Sequence, residues 1–286
     1  MSVAKSAAIS GSNSASKTPI VVVKLGGTAG VNFSAICQDA ARLLEQGKRL
    51  VLVHGGSAQA NHLGKALDYP PQFITSPSGF TSRYTDRRTL EIFAMAVNGK
   101  VNTLLVEQLQ RLGINALGLS GLDGRLLVAK RKTAVQSVVN GKRKVIRDDY
   151  TGKIESVNTA LLKSLLAAGY TPVVAPLAVS EQGEALNVDA DRAAAMLAAG
   201  LGAESLLLLT AVPGLMRAFP DERTLIPHLS ASQLEGALDF AQGRMKKKIL
   251  GASEALAGGV AQIFIADGRT TDPISKALAG NGTLIS

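Results

Sequence analysis

The sequence is poor in aromatic residues and contains no tryptophan. Aromatic residues make up 4% of the 286 positions, whereas hydrophobic residues as a whole make up 46%. A core must therefore be built from aliphatic side chains, which is typical of parallel sheets covered by helices. No stretch approaches the ~18 consecutive apolar residues that a membrane-spanning helix requires, so we predict no membrane partner.

Cysteine and histidine are scarce as well. Cys37 is the only cysteine, so the chain can form no internal disulfide, and this usage agrees with a reducing compartment. The three histidines, His54, His62 and His228, form no zinc-ligand pattern. We therefore predict a cytoplasmic protein in which no side chains hold a metal ion.

The common nucleotide-binding loops are also missing. No Gly-Lys pair is followed by Ser or Thr, so there is no Walker A loop, and the sequence contains no G-x-G-x-x-G motif. A nucleotide would have to bind through another arrangement of glycines.

Acidic residues are outnumbered, and the excess of positive charge is concentrated in one segment. The chain has 31 basic and 22 acidic residues, which gives a formal net charge of +9. Residues 126–147 contain no acid and seven basic residues: Lys130, Arg131, Lys132, Lys142, Arg143, Lys144 and Arg147. Asn140-Gly141 within this segment predicts a hairpin turn.

Two interpretations of this basic hairpin stay open. Its lysines could be solvated groups that protect an edge strand from pairing. Alternatively, an acidic partner could relieve the repulsion among the like charges. Nucleic acid is a less favoured partner, because the basic residues are not interleaved with aromatic ones.

Two apolar strands each run into paired glycines. The run 20–23 is followed by Lys24, Gly26 and Gly27, and the run 50–53 is followed by His54, Gly55 and Gly56. Consecutive parallel strands end at the same edge of a sheet, so the two turns should lie together. Exposed backbone N–H groups and a lysine at that edge indicate a phosphate site. The alternative is a strand that merely ends in Lys and turns on Gly-Gly.

Strand and helix signals alternate along most of the chain. This alternation predicts a three-layer α/β/α sandwich around a mainly parallel central sheet, over residues 20–286. Residues 1–19 are rich in Ser and Ala and contain no acid, so we predict a disordered N-terminal extension. A short organelle-targeting peptide is less favoured, because this segment contains no arginine.

Five motifs in chain order resemble those of the amino acid kinase family. They are V-x-K-x-G-G at 22–27, H-G-G at 54–56, N-x-[ND]-x-D at 187–191, T/S-x-V-x-G-L at 210–215 and G-x-M-x-x-K at 243–248. The resemblance implies that ATP, with Mg²⁺, donates its γ-phosphoryl group to a carboxylate. A carboxylate is already ionised at neutral pH, so such an enzyme needs charge neutralisation and positioning rather than a general base.

Four further segments narrow the resemblance. Residues 82–93, 118–127, 130–135 and 149–152 are similar to acetylglutamate-type kinases, and within these to kinases of α-aminoadipate attached to the amino-group carrier protein LysW. This implies a step of lysine biosynthesis, with the basic hairpin binding the acidic carrier. The alternative is acetylglutamate or LysW-bound glutamate in arginine biosynthesis, or both activities. A non-catalytic nucleotide sensor is less favoured, because Lys24, Asp191 and Lys248 are all present.

The resemblance also implies roles for individual residues. Lys24 and Lys248 would stabilise the transferring phosphoryl group, and Asp191 would orient both lysines. The substrate would be held by Gly55, Gly56, Ser57, Arg83 and Asn187, with Arg83 on a carboxylate and Asn187 on the acylated amino end. The nucleotide would be held by Gly26, Gly27, Thr210, Val212, Gly214, Leu215, Phe219, Arg244 and Met245. The carrier would dock on Lys130, Arg131, Lys132, Lys142, Arg143 and Lys144.

Other expectations concern the neighbours of these residues and the assembly. Lys246 and Lys247 are predicted to be solvated, and Mg²⁺ is predicted to be held through phosphates and water. Asp189 stands where many acetylglutamate kinases have an asparagine. The tail at 1–19 has poor helix propensity, unlike the extra helix of the arginine-inhibited hexameric members, so we predict a homodimer without arginine feedback. A substrate-binding and dimerisation lobe over about 20–180 and a nucleotide-binding lobe over about 181–286 are expected.

Overall fold

The computed structural model describes residues 18–28, 30–77, 79–132, 134–139 and 142–286. Within strands, the side chains of 137–139 and 142–144 are outside this description. The predicted turn at Asn140-Gly141 and nearly all of the predicted N-terminal extension therefore lie outside the described residues.

The secondary structure follows the predicted alternation. In chain order the strands are β1 Ile20–Leu25, β2 Arg49–His54, β3 Phe73–Thr75, β4 Thr81–Arg83, β5 Ala116–Ser120, β6 Leu127–Arg131, β7 Val135–Val139, β8 Lys142–Ile146, β9 Gly152–Val157, β10 Thr171–Ala175, β11 Leu177–Val179, β12 Ala185–Asn187, β13 Ser205–Thr210, β14 His228–Leu229, β15 Gln262–Asp267 and β16 Thr283–Ile285. The α-helices are α1 Phe33–Glu45, α2 Ser57–Ala66, α3 Arg87–Ala94, α4 Thr103–Arg111, α5 Thr159–Ala167, α6 Ala190–Leu201, α7 Leu234–Phe240, α8 Arg244–Ala257 and α9 Pro273–Leu278. Short 3₁₀ turns span Asp123–Arg125, Glu222–Thr224 and Ala231–Gln233.

The main sheet has eight strands in the order β14-β16-β15-β13-β1-β2-β10-β5. Neighbouring strands from β15 to β5 run parallel, whereas β16 is antiparallel to β15. β1 lies at the centre, and all of its residues are buried. A strand buried on both faces explains why its sequence is a continuous apolar run rather than an alternating one.

Helices cover both faces of this sheet. Val22 of β1 belongs to one core, which also contains apolar residues of α5, α6 and α8. Val21 and Val23 belong to a second core, which contains residues of α1, α4 and α9. Because successive side chains of a strand point to opposite faces, these two cores lie on opposite sides of the sheet. The predicted three-layer α/β/α sandwich with a mainly parallel sheet is confirmed.

A second sheet was not foreseen from the sequence. Its four strands have the order β12-β11-β6-β9, while β3–β4 and β7–β8 form separate hairpins. The sequence predicts a helix from Ser156, and this is wrong: β9 pairs with β6 up to Val157, and α5 begins at Thr159 with Asn158 as its N-cap. The basic residues of 126–147 are therefore divided between two sheets, because β6 pairs with β9 rather than with β7 or β8.

The sequence predicts one long helix from about Arg87 to Arg111, with Thr85 or Asp86 as N-cap. The structure has a continuous helix there, but the middle of it is not α-helical. Asp86 caps its first turn by accepting a hydrogen bond from the Thr89 backbone N–H at 2.7 Å. Met95–Asn102 forms a π-helical segment between α3 and α4. Met95 and Leu104 are about half exposed, although their spacing predicts burial, because wider π turns change which positions face the core.

No helix in the described part of the chain has the length and apolar character needed to cross a bilayer.

Candidate active site

The two glycine turns meet at the carboxyl edge of the main sheet, as predicted. The Gly55 N–H donates to the Leu25 carbonyl at 2.9 Å, and the Ala58 N–H donates to the Gly27 carbonyl at 3.1 Å. A Cβ atom at Gly27 would lie 2.4 Å from the Gly56 nitrogen. The backbones approach so closely that a side chain at position 27 cannot be accommodated.

A buried carboxylate joins two lysines beside these turns. Asp191 lies in the first turn of α6, where its Oδ1 is 2.6 Å from the Lys24 Nζ of β1. The Lys248 Nζ of α8 donates to both carboxylate oxygens of Asp191 at 3.0 Å. All three side chains are less than a tenth exposed. The structure therefore brings together the three residues that the sequence assigns to catalysis.

The charges of this cluster control its protonation. Burial alone would raise the pKa of Asp191, but the positive charges of Lys24 and Lys248 outweigh burial and hold it well below its usual range. Burial lowers the pKa of Lys248 to about 8, with Lys24 acting in the same direction and Asp191 opposing it. Two ammonium groups share one carboxylate, so a positive charge is left in a buried place, where an anion would be stabilised.

The register within Lys246-Lys247-Lys248 is settled by helix geometry. α8 begins at Arg244, and Lys248 is the lysine of the three that reaches Asp191. Lys247 is only partly exposed, and its Nζ is 3.6 Å from Asp189 Oδ2. The prediction that Lys247 is merely solvated is therefore wrong. Asp189 also serves as the N-cap of α6, where its Oδ1 accepts from the Arg192 and Asp191 N–H groups.

Arg83 lies at the end of β4, near two aromatic rings. Its guanidinium carbon is 5.3 Å from the centre of the Phe73 ring and 5.9 Å from that of Phe93. Its Nη2 donates to Asn61 Oδ1 at 2.6 Å, but no carboxylate among the described residues pairs with it. Burial lowers the pKa of Arg83 to about 10, and the charge of Arg244 acts in the same direction. A buried arginine of this kind is suited to a carboxylate ligand.

Asn187, at the end of β12, is held by the segments on either side of it. Its Nδ2 donates to Thr85 Oγ1 at 3.0 Å, and its backbone N–H donates to the Tyr150 carbonyl at 2.9 Å. The Tyr150 N–H in turn donates to the Thr85 carbonyl at 2.6 Å. These bonds join the loop after Arg83 to the segment between β8 and β9.

The residues predicted to bind nucleotide follow β13. Thr210 stands beside the first glycine turn, because a Cβ atom at Gly26 would lie 3.7 Å from the Thr210 Cα. Leu215 is buried, and its N–H donates to Thr283 Oγ1 at 2.9 Å. The loop contains Val212 and Gly214 and continues to Phe219, which is half exposed. Arg244 is exposed at the start of α8, and Met245 packs against the core.

Asn61 is a residue of the site that the sequence does not reveal. It lies four positions after Ser57 on α2, so both residues occupy the same face of the helix. Arg83 Nη2 lies 2.6 Å from Asn61 Oδ1 and 3.4 Å from the Ser57 carbonyl. No local motif marks this asparagine, because its partner lies in a strand more than twenty residues away.

The chain is similar to known proteins along most of its length. The sequence model of the amino acid kinase family matches residues 19–267. The chain is 57% identical over 267 residues to a [LysW]-aminoadipate kinase of Deinococcus radiodurans, covering 93% of this chain and 91% of that protein. It is 53% identical over 268 residues to the protein of that name from Thermus thermophilus, covering 93% of this chain and all of the relative. The chain belongs to the amino acid kinase family.

More distant relatives and solved structures share the architecture. A Nitrosopumilus maritimus protein named putative [LysW]-aminoadipate/[LysW]-glutamate kinase is 39% identical over 262 residues, covering 91% of this chain and 96% of that protein. N-acetylglutamate synthase of Neisseria gonorrhoeae has a TM-score of 0.77 at 28% identity, and the match covers 94% of this chain but 59% of that one. Carbamate kinase of Giardia has a TM-score of 0.68 at 17% identity, covering 94% of this chain and 99% of that chain, which shows a shared fold.

The first prediction concerns the charge of Asp191. The substitution Asp191→Asn leaves two buried ammonium groups without a counter-charge, so kcat should fall by at least about 100-fold. Asp189→Asn is the matched control: asparagine is an equally good N-cap, and loss of a partly exposed ion pair should change kcat less than about fivefold. ADP release measures kcat, and thermal unfolding verifies the fold. A folded Asp191→Asn protein with normal kcat would contradict the assignment.

The second prediction concerns pH. Lys248 is protonated below its pKa of about 8 and loses its charge as the pH rises through that value. The kcat/KM for the acceptor should therefore decline on the alkaline side, since one of two cations disappears. Lys248→Arg keeps its charge at much higher pH, so the decline should vanish from its profile even though its activity is lower. If the native protein and Lys248→Arg showed the same decline of kcat/KM at alkaline pH, the decline would come from the titration of another group.

Proposed function

We propose that this protein transfers the γ-phosphoryl group of ATP to the side-chain carboxylate of α-aminoadipate attached to the carrier protein LysW. The product is an acyl phosphate in lysine biosynthesis. The observation that carries the proposal is the buried Lys24–Asp191–Lys248 cluster beside two touching glycine turns. The names of the Deinococcus and Thermus relatives support the choice of substrate.

The reaction brings two anions together, and the site is built to reduce their repulsion. Lys24 and Lys248 neutralise charge on the transferring group, while Asp191 keeps their ammonium groups fixed before the reactants arrive. Preorganised charges of this kind need no rearrangement during the reaction. The carboxylate attacks the γ-phosphorus, the bond from phosphorus to the bridging oxygen breaks, and ADP leaves. No proton has to be transferred.

The substrate is held at its non-reacting end. Arg83 binds the α-carboxylate of the aminoadipate as a fork, and Asn187 bonds the amide that links the amino group to the carrier. We assign the backbone N–H groups of Gly56 and Ser57 to the reacting carboxylate, and Gly55 lines the same turn with its own N–H bonded to the Leu25 carbonyl. The nucleotide is bound by Gly26, Gly27, Thr210, Val212, Gly214, Leu215, Phe219, Arg244 and Met245.

Mg²⁺ accompanies ATP and supplies further neutralisation of the phosphates. Both oxygens of Asp191 face lysine ammonium groups, so this carboxylate is committed to other partners. Within the described residues there is no group of three or more His, Cys, Asp or Glu side chains that could hold a metal. We therefore propose that phosphate oxygens and water would be its main ligands, since Mg²⁺ usually keeps several waters and binds substrate phosphates.

The basic residues near β6 support docking of an acidic carrier. Lys130 lies directly opposite Lys153 in the β6–β9 pair, and like charges in such positions are destabilising. Lys132 is exposed just beyond the same strand. An acidic protein surface would relieve this repulsion and speed association. Lys153 was not foreseen as a docking residue, because the β6–β9 pairing is not evident from the sequence.

The other predicted docking residues have different settings. The Arg131 Nη1 is 2.9 Å from the Glu184 Oε1, and its guanidinium carbon is 3.7 Å from the centre of the Tyr150 ring. Because its charge is already paired, we propose that Arg131 contributes less than Lys130 and Lys132 to binding of the carrier. Lys142, Arg143 and Lys144 belong to β8, and their side chains are outside the described part. Their docking role stays a prediction.

A second candidate substrate is glutamate, either LysW-bound or acetylated, in arginine biosynthesis. The LysW-bound form is favoured by the Nitrosopumilus maritimus relative, whose name includes both [LysW]-aminoadipate and [LysW]-glutamate. Glutamate is shorter than aminoadipate by one methylene, a difference that binding discriminates by only ~1 to 3 kcal/mol. A cytoplasmic location and the division into lobes over about 20–180 and 181–286 are part of the same proposal.

The third prediction tests the carrier. ADP release should be fast with LysW-linked aminoadipate, slower with LysW-linked glutamate, and slow with free acetylglutamate. Raising the salt from about 50 to about 500 mM should reduce kcat/KM for the carrier-linked acceptor at least about tenfold. Lys130→Glu with Lys132→Glu should produce a similar loss at low salt.

The control for this experiment is Lys276→Glu, an exposed lysine of α9 on the opposite face of the main sheet. It should leave carrier-dependent turnover unchanged. Efficient, salt-insensitive turnover of free acetylglutamate would overturn the proposal and indicate an arginine-pathway kinase. A preference for LysW-linked glutamate would retain carrier docking but change the pathway.

The fourth prediction concerns the proposed homodimer. Met95 and Leu104 expose about half of their apolar side chains on the long helix, which favours an interface there. Light scattering should give the mass of a dimer for the native chain and of a monomer for Leu104→Glu. Leu67→Glu, at an exposed leucine after α2, is the control and should remain dimeric. A monomeric native chain would contradict the proposal.

A further inference from the structure

His54 lies at the end of β2, immediately before the second glycine turn, and is fully buried. Its Nδ1 is 2.9 Å from the Gly55 carbonyl oxygen, and its Nε2 is 3.0 Å from the Nδ2 of Asn102. The same Nδ2 donates to the Val173 carbonyl at 2.9 Å. Because a carbonyl only accepts, the amide nitrogen of Asn102 must face both partners. The His54 Nε2 is then an acceptor, and its Nδ1–H donates to Gly55.

This chain of hydrogen bonds fixes the orientation of one peptide unit. The Gly55 carbonyl and the Gly56 N–H belong to the same trans peptide, in which the two groups point in opposite directions. Holding the Gly55 oxygen against His54 therefore aims the Gly56 N–H away from the ring. Burial lowers the pKa of His54 to about 4, so the neutral ring that this arrangement needs is present at physiological pH.

The π-helical segment Met95–Asn102 supplies a second contact to the same turn. A Cβ atom at Gly56 would lie 2.5 Å from the Val97 Cγ1, and one at Gly118 would lie 2.1 Å from the Asn102 Oδ1. The segment can therefore pack this closely only because Gly56 and Gly118 have no side chains. A single segment thus contacts both His54 and Gly56.

The segment has features that simple coverage of a sheet does not require. π-helical turns are rare and occur frequently at functional sites. Asn98 within it has a buried Oδ1 that lacks a hydrogen-bond partner among the described residues, and such a group is destabilising. In a regular α-helix, the angle between the side chains of Val97 and Asn102 around the helix axis would differ from the angle in this π-helical segment.

We propose that Asn102 is a positioning residue for phosphoryl transfer, which acts through His54 to hold the Gly56 N–H toward the acceptor. The inference rests on the proposed role of Gly55 and Gly56 in substrate binding. The π-helical segment places Asn102 against His54 and Val97 against Gly56 at the same time.

The test compares Asn102→Ala with Gln110→Ala in the full-length protein. Gln110 is a matched control, because it lies on the same continuous helix and donates from its side chain to the Ala116 carbonyl at 3.0 Å, away from the site. Asn102→Ala should lower kcat/KM for the acceptor by about 10- to 100-fold without changing the dissociation constant of ATP. Gln110→Ala should change neither quantity.

A spectroscopic measurement separates positioning from general damage. With His62→Gln and His228→Gln, the remaining imidazole is that of His54, and its ¹⁵N spectrum reports the tautomer. The native ring should show a protonated Nδ1 and an unprotonated Nε2. Asn102→Ala should produce a mixture of tautomers and shift the amide signal of Gly56. These signals would answer the question even if the acceptor were different from the one proposed.

Two results would overturn the inference. The first is an unchanged tautomer and Gly56 amide in folded Asn102→Ala; the second is a loss of kcat/KM no larger than that of Gln110→Ala. If Asn102→Ala does not fold, Asn102→Ser provides the test, because its shorter polar side chain cannot reach both His54 and the Val173 carbonyl. It should mix the tautomers of His54, shift the Gly56 amide and lower kcat/KM for the acceptor, and unchanged values in the folded protein would overturn the inference.

Discussion

One buried carboxylate determines how the parts of this site are arranged. Asp191 would be unstable in its position without cations, and Lys24 and Lys248 would repel each other without Asp191. The three side chains come from the end of a central strand, the first turn of α6 and the second turn of α8, and the two helices pack on one face of the sheet. Because each of the three side chains needs the others, their contacts hold the strand and the two helices together at the site. Two ammonium groups and one carboxylate leave a net positive charge there, which would stabilise a phosphate.

The glycine turns are the second constraint. Their backbones are in contact, so no side chain separates the end of β1, where we propose that phosphate binds, from the end of β2, where we propose that the substrate binds. With these proposed roles, the distance between the two reactants would be set mainly by backbone geometry, which is more rigid than side-chain geometry. This arrangement agrees with the proposed reaction, in which the chain contributes charge and position alone.

The central sheet and the cluster proposed to be catalytic could be predicted from the sequence because their signals are local. Buried parallel strands are continuous apolar runs, and Lys24, Asp191 and Lys248 each stand in a recognisable motif. The features that were missed depend on distant partners. Ser156 lies in a strand because β6 pairs with that segment, Lys153 becomes a docking candidate through the same pairing, and Asn61 matters through Arg83. The π-helical segment could not be predicted, because its residues have the apolar spacing of an ordinary helix.

The pairing of Asp189 with Lys247, next to that of Asp191 with Lys248, has a consequence for the alignment of α6 and α8. The side chains of consecutive helix residues project about 100° apart. The two adjacent lysines therefore pair with two separate carboxylates. A shift of α8 by one residue would rotate Lys248 away from the core and break both pairs. If an insertion or deletion in the loop at 241–243 shifted α8 along its axis, both ion pairs would be lost. The length of that loop is therefore constrained by these two pairs.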